Sequence, residues 1–301
     1  MMTFDNIRSS ERKNMRDYVI LTDSGTDLSP EKAKEIGVRV IDLMVIMEGG
    51  EPTPNREVAP KDFYDFLRSK KMATTSAVNV ETFSEVMEEI VKEGKDVIYM
   101  GFSSGLSATF SAGRLAAEEV GEKYPESKVL AVDTLAASLG QGLFVYLAAK
   151  MKEKGATIDE VYAWAEDNKL NLCHWFTVND LMFLKRGGRV SAATAVMGTM
   201  LNIKPVMHVD NEGHLIKMGV ARGRRASIDA LFDKFTQTAI DGASQTVFIC
   251  HGDCIDDANY LADRLKNEAG VKEVFIDYTG VVIGAHSGPG TLALFYMGTE
   301  R

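Results

Sequence analysis

Cysteine is scarce. Cys173, Cys250 and Cys254 are the only three in 301 residues, too few and too scattered for a disulfide framework, and a reducing cytoplasm is the simplest address. Long apolar runs are absent too: none approaches the ~20 residues that cross a bilayer as a helix. Residues 1–16 are polar and charged, with no apolar segment of the signal-peptide kind, and are expected to form a disordered extension. Positive charge is in short supply, with 34 Lys and Arg against 43 Asp and Glu, a formal net charge of -9. Such a chain is repelled by nucleic acid and by anionic membrane surfaces. No lysine follows a glycine-rich loop in the register of a P-loop, and there is no internal repeat or low-complexity tract.

What remains is the composition of a globular protein, 45% hydrophobic and 26% charged, long enough for two domains. The first half alternates strand-like and helical patterns. Tyr18 to Thr22 is β-prone; Ser29 and Pro30 form an N-cap and N1 pair, and Gly37 closes a short helix. Val38 to Met47 reads as one strand ending in a turn at Glu48 to Glu51. Pro52 and Pro54 predict irregular chain, Pro60 a helix through Arg68, and Ala73 to Asn79 a loop before a helix over Glu81 to Glu93. A strand (Val97 to Phe102), a helix (Ser107 to Tyr124), a strand (Lys128 to Val132) and a long helix (Leu135 to Lys154) follow.

Strands separated by helices imply a mainly parallel, doubly wound sheet over residues 17–170. The second half differs. Lys204 to Val209 and His214 to Val220 flank Asp210-Asn211-Glu212-Gly213 as an antiparallel hairpin, and residues 171–301 are expected to form an α+β domain.

Three segments carry candidate chemistry. Phe102-Ser103-Ser104-Gly105-Leu106-Ser107-Ala108-Thr109 lies where a strand gives way to a helix, the place where open α/β sheets bind ligands and helix amides meet anions. Its hydroxyls suit a carboxylate or phosphate, or simply cap the turn. Thr74-Thr75-Ser76 is a second hydroxyl cluster, which alone favours capping. His286, beside Gly288-Pro289-Gly290, sits on a tightly shaped loop, as an anion donor or a structural residue. Gly101-Phe102-Ser103-Ser104-Gly105 also spells the Gly-x-Ser-x-Gly elbow of hydrolases, which keeps open a serine esterase or acyl hydrolase using Ser103, although no HGGG-type oxyanion loop stands upstream. Cys250-His251-Gly252-Asp253-Cys254 lacks the paired spacing of a zinc site, and no metal is expected.

Taken in order, Thr22-Asp23-Ser24, Thr75-Ser76, Ser103-Ser104-Gly105-Leu106-Ser107, Leu184-Lys185-Arg186-Gly187-Gly188-Arg189, Lys204-Pro205 and Ile283 to Gly290 make the chain resemble the DegV family from about Tyr18 to its end. The resemblance implies a two-domain fold with a long-chain fatty acid in a tunnel between the domains. It implies that Thr75, Ser76, Ser103, Ser104 and His286 meet the carboxylate, and that the protein needs no cofactor beyond this bound ligand. It further implies a non-catalytic role as the acyl-binding subunit of a bacterial fatty-acid kinase, in which a separate ATP-binding subunit makes an acyl phosphate for phospholipid synthesis.

Two positions depart from the family's pattern, Val78 where proline is common and Ala108 where glycine is, and both bear on loop geometry and acyl preference. The basic cluster Arg186, Arg189, Lys217, Arg222, Arg224 and Arg225 is the expected kinase-binding surface; its alternative is a set of solvated residues. Phe102, Leu106, Phe110, Met197, Met200 and Leu201 flank the matched motifs as candidate tunnel walls or plain core. A different anionic amphiphile, or a small carbonyl compound of the kind handled by dihydroxyacetone kinases, is a second binding-class alternative.

Overall fold

A computed structural model describes residues 16–191 and 202–301. Residues 1–15 of the expected extension, and Met197, Met200 and Leu201 among the candidate walls, lie outside the described residues.

Four strands form the first sheet in the order β2-β1-β6-β7: β1 (Tyr18–Asp23), β2 (Arg39–Ile41), β6 (Asp96–Gly101) and β7 (Val129–Asp133). Every pairing in it is parallel. All six residues of β6 are buried, as befits a central strand covered on both faces. Helices α3 (Val80–Lys92) and α4 (Thr109–Lys123) cover one face. The second sheet has six strands in the order β10-β9-β8-β13-β11-β12. These are β8 (Leu172–Thr177), β9 (Ile203–Val209), β10 (Leu215–Arg222), β11 (Thr246–His251), β12 (Glu273–Tyr278) and β13 (Leu292–Met297). Only β11 and β12 pair in parallel; the other pairings are antiparallel. The fold class is therefore α/β with a parallel sheet and a separate mixed sheet, as the alternation of patterns implies.

Helix α5 (Ser138–Glu153) joins the two sheets. Its residues Ser138 to Tyr146 are buried without interruption, which marks a helix enclosed on all sides rather than one lying on a surface. One apolar cluster runs from Ile20 and Met100 through Leu143 and Phe144 to Met207, Phe248 and Phe295. Helix α10 (Val281–Ser287) belongs to the late part of the chain. It packs on α2 (Pro60–Arg68) and on a small three-stranded sheet of the early part.

That small sheet corrects three expectations. Val38 to Met47 is two strands: β2 stays in the parallel sheet, while β3 (Met44–Met47) leaves for the other. The break lies at Asp42 and Leu43, where Arg56 clamps the Asp42 carboxylate at 2.8 Å and Ser24 Oγ accepts the Leu43 amide at 2.9 Å. Pro52–Pro54 is not irregular but an edge strand, β4, paired with β3; an edge is where proline's missing N–H costs least. Residues 73–76 are a strand too, β5 (Ala73–Ser76), on the other side of β3. The cap of α3 is Asn79, whose side chain accepts from Thr82 N at 2.8 Å.

Candidate functional site

A cavity of about 300 Å³ lies between the two sheets. Its wall is mostly apolar and comes from both halves of the chain, with Leu43, Phe102 and Leu106 facing Phe176, Val209 and Phe295. Phe102 and Leu106 thus serve as walls, whereas Phe110 stacks on Tyr99 in the core, ring centres 6.1 Å apart. Helix α10 runs along the cavity: Val282, Ile283 and His286 line it, with Thr279 just ahead. Val282 and His286, four residues apart, and Ile283 and His286, three apart, share one helix face.

Polar groups gather where α10 ends. His286 Nε2 lies 2.8 Å from Thr75 Oγ1. Because β5 is a strand, Thr75 points inward while its neighbours Thr74 and Ser76 are exposed; Ser76 still borders the cavity mouth. Burial, helped by the Arg189 charge, pushes the His286 imidazole down to about 4, so the ring is neutral near pH 7. Arg189 is half-buried in the same wall, and burial lowers the pKa of its guanidinium. It donates to the Leu106 carbonyl from Nε at 3.2 Å and from Nη2 at 2.9 Å. Ser107 completes the group, its Oγ 2.9 Å from Thr109 Oγ1. Two hydroxyls, a neutral imidazole and one guanidinium without a carboxylate partner among the described residues have the chemistry to receive a single carboxylate.

The other serines of the motif lie elsewhere. Ser103 is fully buried; its Oγ donates to the Gly213 carbonyl at 2.9 Å and accepts from Gly105 N at 3.2 Å. It pins the loop to the turn between β9 and β10. Gly105 completes that contact, since a Cβ there would meet the Glu212 carbonyl at 2.7 Å. Ser104 is exposed, and its amide reaches Asp133 at 3.3 Å. Neither serine lines the cavity. Ala108 takes an ordinary helical φ of -71°, so this loop closes without glycine there.

The basic cluster divides in the same way. Arg189 faces the cavity. Arg186 lies exposed over the Phe183 ring at 4.5 Å, at the end of α7 (Met182–Arg186). Arg222 is exposed at the end of β10. Arg224 is partly buried at the start of α8 (Arg224–Thr238), paired with Asp257 at 2.8 Å. Cys250 belongs to the cavity wall, while Cys254 Sγ sits against Arg224. No three His, Cys, Asp or Glu side chains converge as metal ligands among the described residues.

A second pocket of about 250 Å³ shares Thr75, Arg189 and His286 with the cavity. Lys71 and Arg186 stand around it, and no carboxylate does among the described residues.

At the other end of α10 four polar groups are linked in a chain. Thr279 Oγ1 donates to Cys250 Sγ at 3.1 Å, Ser138 Oγ lies 3.2 Å from that sulfur, and Ser138 Oγ is 2.5 Å from Asp27 Oδ2. Burial pushes Asp27 up to about 8 against the hydrogen bond from Ser138. The motifs did not bring this group together, nor did they mark Arg189 as a wall of the cavity; Ser107 lay within a matched motif but was not among the residues expected at the carboxylate. Arg189 carries a usable signal, because Gly187 and Gly188 before it allow the chain to fold back. Ser138 and Thr279 carry none, being single residues of unremarkable segments, and Cys250 stood out only as a rejected metal ligand.

Fold and cavity together define a two-sheet α/β protein with an apolar cavity and one carboxylate-sized polar cluster in its wall. The profile of the DegV family, described as uncharacterised proteins, matches residues 17–299, and the chain is a member of that family. It is 44% identical over 289 residues to a DegV domain-containing protein of Clostridium perfringens, covering 95% of this chain and 99% of that one. Among solved structures it resembles a DegV family protein of Thermus thermophilus described for fatty-acid binding, at 31% identity and a TM-score of 0.82, over 93% of this chain and 99% of that one. A Thermotoga maritima protein reported to reveal a fatty-acid-binding function is similar at 30% identity and a TM-score of 0.80, over 93% and 98%.

Proposed function

We propose that this protein binds a long-chain fatty acid in the cavity and presents its carboxylate to a separate ATP-binding kinase subunit, which converts it to an acyl phosphate. The observation that carries the reading is the cavity itself: apolar along α10 and closed by Thr75, His286 and Arg189 at one end. Burying about fifteen methylenes contributes on the order of 12 kcal/mol at ~0.8 kcal/mol each, before an association cost of several kcal/mol. The tail supplies affinity and the polar cluster supplies orientation.

A carboxylate is ionised at pH 7 and needs no base to attack phosphorus. What it needs is position and a place for the incoming charge. The second pocket supports that step, since it opens on Thr75 and His286 and is edged by Lys71, Arg186 and Arg189. Exposed Arg222 and Arg186 suit a partner's docking surface. A hydrolase built on Ser103 gains no support, because that hydroxyl is held by Gly213 and Gly105, and no imidazole is bonded to it among the described residues.

The test is binding followed by turnover. Delipidated protein titrated with oleate should saturate at one equivalent, and methyl oleate should bind at least tenfold more weakly. With ATP and the kinase subunit, the loaded protein should yield an acyl phosphate, trapped as the hydroxamate. Equal affinity for acid and ester would overturn the carboxylate assignment, and oleate binding without hydroxamate would overturn the presenting role.

A further inference from the structure

The Thr22-Asp23-Ser24 segment at the end of β1 takes no part in the cavity wall, yet three pieces of that wall hang on it. Asp23 Oδ2 accepts the Phe102 amide at 2.9 Å, and Ser24 Oγ accepts the Leu43 amide at 2.9 Å. The third tie crosses to the late half of the chain through Asn55, a buried residue just after β4. Asn55 Nδ2 donates to the Ser24 carbonyl at 3.0 Å, and Asn55 Oδ1 accepts the Val282 amide at 2.9 Å. Val282 is the second residue of α10, where amides lack partners within the helix. Such an amide is ordinarily capped by the side chain of the residue just before the helix. That residue is Gly280, and a Cβ on it would fall 2.3 Å from Asp27 Oδ1, which leaves no room for a cap of its own. Asn55 supplies the cap from the other half of the chain.

We infer that Asn55 is a positioning residue for the carboxylate receptor: by capping α10 from the early half of the chain, it sets where His286 stands against Thr75. This rests on the proposal that the cavity holds a fatty acid. Val282 and His286 are about one helical turn apart, ~6 Å along the axis, so a shift of the first turn is carried to the imidazole. Thr75 lies on β5 and Asn55 directly follows β4, the two strands that flank β3. The small sheet therefore places both partners of the contact, Thr75 directly and His286 through Asn55. Asparagine suits the task because its side chain offers a donor and an acceptor together; aspartate keeps only the acceptor, and alanine has neither. Tyr64 Oη separately donates to the Thr279 carbonyl at 2.8 Å. Loss of Asn55 thus leaves the chain docked ahead of α10 and frees the setting of the helix.

The experiment has two readouts on the delipidated full chain. One is the imidazole NMR signal of His286, assigned by its loss in His286→Gln. The other is the ratio of affinities for oleate and oleyl alcohol. Asn55→Ala should move the ring signal and lower the acid-to-alcohol ratio about fivefold, the scale of one lost hydrogen bond. Asn55→Asp keeps an acceptor for the Val282 amide, so both readouts should stay near the wild type, although the Ser24 carbonyl loses its donor and the protein melts at lower temperature. Leu231→Ala is the control for stability alone: Leu231 is buried in α8 and is not part of the cavity wall, so both readouts should hold while the melting temperature falls. A ring signal unmoved in Asn55→Ala, a ratio no lower than in Leu231→Ala, or an Asn55→Asp variant as impaired as Asn55→Ala overturns the inference and leaves the fatty-acid reading standing. Wild-type protein that binds neither oleate nor the alcohol overturns the fatty-acid reading, and the ring signal then still decides whether Asn55 positions His286.

Discussion

Thr75 on β5 and His286 on α10, 211 residues apart in sequence, meet at 2.8 Å between Oγ1 and Nε2. One comes from a small antiparallel sheet of the early part of the chain and the other from a helix of the late part, so the contact exists only when both halves of the chain are folded together. It separates the apolar cavity from the cation-edged pocket.

Removing either partner should weaken the carboxylate and spare the tail. A hydrogen bond to a charged group is worth about 1.5–3 kcal/mol, so Thr75→Val or His286→Ala should raise the dissociation constant for oleate roughly tenfold or more. Isothermal titration against oleate and oleyl alcohol separates the terms, because the alcohol should lose less than the acid.

The imidazole is also held by a neighbour that has no side chain. A Cβ at Gly187 would fall 2.3 Å from His286 Nδ1, so Gly187→Ala must push the ring away from Thr75. Oleate affinity should drop as in His286→Ala, although no group that binds ligand has been removed. Retained affinity would show that the ring's position is not what matters.

Acid should act through the same histidine. Its pKa is about 4 when folded against an ordinary 6.5, so the unfolded chain takes up more protons between those values. The resulting stability is fully present above pH 6.5 and is lost as pH falls toward 4. Between pH 7 and 5 this contributes up to about 2 kcal/mol. Denaturant melts of the wild type and His286→Gln should therefore converge by that amount as pH is lowered; parallel curves would contradict the assignment.

Ser103 offers a contrast. Ser103→Ala leaves the Gly213 carbonyl buried without its donor and should cost about 1–3 kcal/mol of stability. Oleate affinity should stay within about twofold. Ester hydrolysis abolished by this substitution would instead revive the esterase reading.

On the surface, Arg222→Glu should lower turnover with the kinase subunit severalfold and leave lipid affinity unchanged. Arg224→Glu is a poorer probe, because it also breaks the 2.8 Å pair with Asp257. Steady-state rates alongside lipid titration distinguish docking from binding.

Much of this arrangement was legible before the structure. The alternation of strands and helices in the first half gave the parallel sheet, and the order of short motifs gave Thr75 and His286. Where reading failed, tertiary pairing had overridden local pattern. Residues 73–76 carry the hydroxyls of a cap but become a strand because β3 offers an open edge. Pro52 and Pro54 look disruptive until that sheet supplies an edge to hold them. Ser103 and Ser107 are chemically alike and four residues apart; the turn into α4 sends one to the Gly213 carbonyl and the other to the cavity.

The most direct test of the account is native mass spectrometry of the protein as purified, followed by denaturing extraction and identification of what is released. The account predicts one fatty acid per chain, of about sixteen to eighteen carbons by the tail's share of the affinity, lost on extraction. A ligand-free protein that also fails to take up added oleate or palmitate would contradict it.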